Sequence, residues 1–148
     1  MYSFVLLTHL LAATIWTGGH LVLALSVLPR ALRQRDPQIL LAFESAYEPL
    51  GMTALLVQIV TGLWMAHAML PDVAAWFSFA PGPARLISLK LLLLGATALT
   101  ALDARLRIIP DLSAATLPAM ARRVVTVTVL SVAFVVVGAS FRSGWLMG

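Results

Sequence analysis

Five residues able to carry charge or ligate a metal fall inside or beside the long apolar runs of this 148-residue chain: His9, His20, His67, Arg85 and Lys90. Such groups are expensive within a bilayer, so each one is a candidate functional residue. His9 lies about two turns into the first apolar run, and His67 about one turn before the end of the second. If those runs are antiparallel helices, the two rings reach similar depth. Imidazoles facing each other from different helices are a usual way to hold haem b, with the porphyrin slotted between helices. The bland alternative is that each histidine hydrogen-bonds a neighbouring helix.

His20 follows His9 by eleven residues, close to three turns, so both leave the same face of one helix, about 16 Å apart along its axis. That spacing is too long for one iron. His20 belongs to a second site, with Met52 or Tyr47 nearby, or to an internal hydrogen bond. Trp16 stands on the same stripe, one turn before His20, and Gly18-Gly19 would let helices or a flat macrocycle approach closely. Arg85 and Lys90 begin the third apolar run at the depth expected for His9 and His67. Their cations suit haem propionates, although Arg85 could equally snorkel to the interface. Met65 and Met69 flank His67, and thioether with imidazole would suit copper(I).

Other chemistries are excluded. Without cysteine there are no disulfides, thiolate metal sites or thiol nucleophiles. The chain shows no glycine-rich phosphate loop, no Ser/His/Asp arrangement, no HExxH and no intramembrane carboxylate pair.

The elements that must position these side chains follow from composition. Apolar residues make up 61% and charged residues 11%, too few charges for the polar shell of a soluble domain. Four runs are long enough to cross a hydrocarbon core: 2–28, 50–70, 84–102 and 124–141. The expected fold is all-α, a single integral membrane four-helix bundle over residues 1–148. Net charge is +4, and the bases concentrate in the first connector (Arg30, Arg33, Arg35) and the third (Arg105, Arg107, Arg122, Arg123). We read them as topology signals rather than a nucleic-acid patch, which puts both termini on the outer, periplasmic side. Met1-Tyr2-Ser3-Phe4 carries no basic n-region, so the first run is expected to stay as a span. Asp36-Pro37 reads as a helix cap followed by a first-turn proline, which gives a short helix leading into the second span. Trp76, Phe77 and Phe79 suit a segment in the outer interface.

His9 with Trp16-Thr17-Gly18-Gly19, then Leu28-Pro29-Arg30, resembles the first helix of the CopD copper-resistance membrane domain and of the related HemJ-type protoporphyrinogen oxidases. Thr61-Gly62-Leu63 is similar to the TGL of CopD domains, and Ser88-Leu89-Lys90-Leu91-Leu92 to the lysine-bearing third helix of both groups. The chain departs from the HemJ-type pattern after Arg30, where a Tyr-His continuation is replaced by Arg33-Gln34-Arg35. The resemblance implies a compact four-helix membrane bundle, and it carries the family histidine onto His9 and the family lysine onto Lys90. The expectation is a CopD-like, multi-pass protein of a bacterial inner membrane. It would bind haem b through His9 and His67, with Trp16, Arg85 and Lys90 around the cofactor and His20 and Met52 as a second site. Its role would be electron transfer or redox sensing linked to copper homeostasis, with a redox protein or quinone as partner and self-association as a homo-oligomer. The alternative is a copper permease using His9, His67 and methionines. An enzyme reading would make it a haem-dependent porphyrinogen or quinol oxidase.

Overall fold

The computed structural model describes residues 1–147, and all four expected spans are helical within longer helices: α1 (Tyr2–Gln34), α2 (Pro37–Met69), α3 (Pro83–Ile108) and α4 (Leu117–Ser143). At ~1.5 Å per residue the first two reach about 50 Å, well past a hydrocarbon core of about 30 Å. The outward faces of the helices are bare of polar cover: Leu7, Leu11 and Leu25 of α1, Leu56 and Val60 of α2, Leu99 and Leu106 of α3 and Val129 of α4 are each more than half exposed. Only lipid accommodates that much exposed apolar surface, and the chain is a multi-pass membrane protein.

Two prolines that border the expected spans, Pro29 and Pro49, do not end their helices. Pro29 lacks an N–H, and its ring crowds the carbonyl four residues back. The turn before it, Leu23–Val27, widens to a π-helical turn, and the helix then runs on to Gln34. Arg35, in the left-handed region (φ 52°), ends it. Asp36 caps α2, its Oδ1 accepting from the Gln38 N–H at 2.9 Å with Pro37 in the first turn. That helix is continuous through Pro49, so the expected lead-in helix and the second span are one element. A second π-helical turn, Ala104–Ile108, closes α3 just before Pro110.

Packing follows the order α2–α1–α4–α3, whereas α2 and α3 scarcely touch, so one side of the bundle is open. At the end where the arginine-rich connections lie, Leu28, Ala31, Leu40, Ala104, Leu117, Met120 and Val124 form the densest core. There Arg105 reaches Glu48 at 2.7 Å, joining α3 to α2 across the open side. At the opposite end, which carries both termini, the 3-10 turn Val73–Phe77 folds over α3. Trp76 is buried there, its Nε1 donating to the Leu70 carbonyl at 2.9 Å. Ser88 locks the segment by donating to the Trp76 carbonyl and accepting from the Phe79 N–H. Of the three interfacial aromatics, Phe77 and Phe79 are exposed and Trp76 is not.

Candidate functional site

On α1, spacings of seven and eleven residues bring His9, Trp16 and His20 within an arc of about 40°. That arc meets α2 at Thr61 and Tyr47, and Thr17 and the His20 carbonyl beside it meet α4. His9 enters against Thr61 and Gly62 of α2: its Nδ1 lies 2.8 Å from Thr61 Oγ1. A Cβ on Gly62 would stand 3.3 Å from the His9 ring, so glycine there lets the imidazole lie close to the α2 backbone.

The network assigns the tautomer. Thr61 spends its hydroxyl proton on the Val57 carbonyl at 2.6 Å, so its oxygen accepts from His9. Nδ1 therefore carries the proton, and Nε2 keeps a free lone pair. Metal-ligating histidines are usually held this way, with the non-ligating N–H fixed by an oxygen.

Lys90 stands at matching depth on α3. It is seven residues from the helix start, about 10 Å in, as His9 is seven from the start of α1. Its ammonium lies 5.7 Å from the centroid of the Phe141 ring, beside Gly138 of α4. Among the described residues no carboxylate pairs with it. Arg85 is half-buried in the first turn of α3 and likewise forms no ion pair among the described residues.

His67 is not brought to His9. The Tyr2 ring meets Trp64, their centroids 6.0 Å apart, so α2 continues past the start of α1. His67 is exposed, six residues beyond Thr61, which places it about 9 Å further along α2 and about 120° round from the face that receives His9. The expected depth match fails because it assumed that both helices begin at one level.

Toward the other end, the His20 Nδ1–H donates to the carbonyl of Trp16 at 2.9 Å, and the two rings pack with centroids 4.3 Å apart. Tyr47 of α2 closes the cluster edge-on to His20, its hydroxyl donating to the Ile15 and Trp16 carbonyls. Met52 is 52% exposed, so Tyr47, and not Met52, is the α2 neighbour of His20. Across α1, Thr128 of α4 donates to the Val124 carbonyl and to that of His20.

The ligand features present are one imidazole with a fixed N–H and a lysine without an ion pair among the described residues. They do not provide the second imidazole on α2. Among the described residues no three His, Asp or Glu side chains gather as a metal-binding group, and Met69 is exposed like His67. Thr61, Gly138 and Phe141 are the site residues not foreseen individually. Only the Thr61-Gly62 pair carried a signal, a hydroxyl beside a glycine in an apolar helix. No family model, curated protein or solved structure matches this chain.

Proposed function

We propose that this chain is a CopD-like haem b protein of a bacterial inner membrane, with both termini on the periplasmic side, that serves electron transfer or redox sensing. The observation that carries the reading is the His9 imidazole: Thr61 fixes its Nδ1–H, which leaves the Nε2 lone pair available to a ligand. Lys90 supports it. A half-buried ammonium without a carboxylate is costly, and a haem propionate is an anion that would offset that cost. Arg85, one turn and a half nearer the helix start, is the second cation for the same purpose. Haem would supply one-electron chemistry, with its potential set by the axial ligand and the dielectric around it. Exchange with a redox protein or quinone, and self-association, belong to this reading. Copper ligation by His9 and His67 together finds no support, since the two residues lie apart.

The test is the reduced-minus-oxidised visible spectrum of protein purified in mild detergent from haem-replete cells. The proposal expects a Soret band and a reduced α band in the wild type, in His67→Ala and in His20→Ala, and their loss in His9→Ala. A colourless preparation with stoichiometric copper, or a spectrum that survives His9→Ala, would refute it.

A further inference from the structure

A hollow of about 360 Å3 opens between α3 and α4 at the basic end, lined by Leu99, Thr100, Asp103, Arg122, Arg123 and Thr126. It lies where the apolar spans 84–102 and 124–141 give way to charge, which is headgroup depth. Leu99, 70% exposed, forms its apolar lip toward the acyl chains. Around it stand three guanidinium groups (Arg107, Arg122, Arg123) and one carboxylate. Asp103 binds Arg123 at 2.5 Å and Arg107 at 3.6 Å. Arg122 is exposed and forms no ion pair or side-chain hydrogen bond among the described residues. Both threonine hydroxyls already donate to their own helices, Thr100 to Ala96 and Thr126 to Arg122, each at 2.8 Å. Arg122 is thus the donor left for an anion.

We infer that this hollow is a binding site for an anionic phospholipid, whose phosphate is held by Arg122 beside the Arg123–Asp103 pair and whose acyl chain runs down Leu99. The lipid phosphate complements the surplus positive charge, and the apolar lip favours a lipid over a free anion. Basic hollows between membrane helices at this depth suit such headgroups. The site is separate from His9 and Lys90, at the opposite end of α3 and α4, and does not depend on the haem reading.

The experiment uses the full chain in nanodiscs of equal phosphatidylglycerol and phosphatidylcholine, and counts the lipids retained after gentle release by native mass spectrometry. Wild type is expected to retain phosphatidylglycerol preferentially. Arg122→Gln, an exposed and unpaired position that leaves folding intact, lowers that preference about fivefold, the contribution of one arginine near a membrane surface. Arg33→Gln, an equal charge change at the end of α1, leaves it in place. Equal loss in both variants would mean diffuse surface charge and overturn the site. So would an absence of preference in the wild type, or displacement of the lipid by excess inorganic phosphate, which would mark a free-anion site.

Discussion

Gly18 and Gly19 are neighbours in sequence with opposite environments, and replacing each by alanine separates packing from composition. A Cβ on Gly19 would fall inside the Tyr47 ring, whereas one on Gly18 meets nothing within 4 Å. The other edge of the ring lies close against Gly51 of its own helix, where a Cβ would stand 2.7 Å away, so little room is left for Tyr47 to retreat. Gly19→Ala must therefore move the phenol. Overpacking of this kind costs about 1–3 kcal/mol. The displaced hydroxyl also loses its bonds to the Ile15 and Trp16 carbonyls, about 1 kcal/mol more, for a total of roughly 2–4 kcal/mol. Gly18→Ala is expected to be neutral or to stabilise by up to ~1 kcal/mol through helix propensity. The assay is unfolding in mixed detergent–SDS micelles followed by helical circular dichroism. Tyr47→Phe, which keeps the ring and loses the hydroxyl, costs about 1 kcal/mol. Adding Tyr47→Ala to Gly19→Ala removes the clash, so the double variant costs less than the sum of the two single ones. Equal stabilities of Gly18→Ala and Gly19→Ala, within about 0.5 kcal/mol, would refute the close approach of α1 and α2 at Tyr47.

Thr61→Val removes the acceptor for the His9 Nδ1–H at constant shape. Haem affinity, measured by titration into apoprotein, is expected to fall about 10–100-fold, and Thr61→Ser to retain it. Ser88→Ala leaves the Trp76 carbonyl and the Phe79 N–H without their shared partner. It should cost about 1–3 kcal/mol in the same unfolding assay, with the connector the first region to exchange amide hydrogens. The Arg105–Glu48 pair is largely exposed, so Glu48→Gln costs at most about 1 kcal/mol, and raising the salt abolishes that difference. Asp103→Asn weakens two arginine contacts at a less exposed site and should cost more than Glu48→Gln at every salt concentration.

The four spans were legible because a bilayer imposes length and apolarity on any helix that crosses it. Their extents were not, because Pro29 and Pro49 read as boundaries. A π-helical turn before Pro29 and a continuous path through Pro49 depend on how neighbouring turns satisfy a missing N–H, which composition does not encode. The common face of His9, Trp16 and His20 was legible from periodicity within one helix. The partners of that face were not, since they depend on the register between helices. The contact of Tyr2 with Trp64 fixes that register and carries His67 beyond the start of α1. Lys90 stood out because it interrupts an apolar run, but its position over Phe141 and Gly138 belongs to α4, some fifty residues away.

The most direct measurement of the central claim is chemical rescue at His9. In His9→Gly the ring is gone and the space it filled remains, so added imidazole can take the place of the missing ligand. His9→Gly reconstituted with haem is expected to lack the wild-type Soret and reduced α bands, and millimolar imidazole to restore both, while His67→Gly needs no rescue. A wild-type spectrum from His9→Gly without imidazole would contradict the claim.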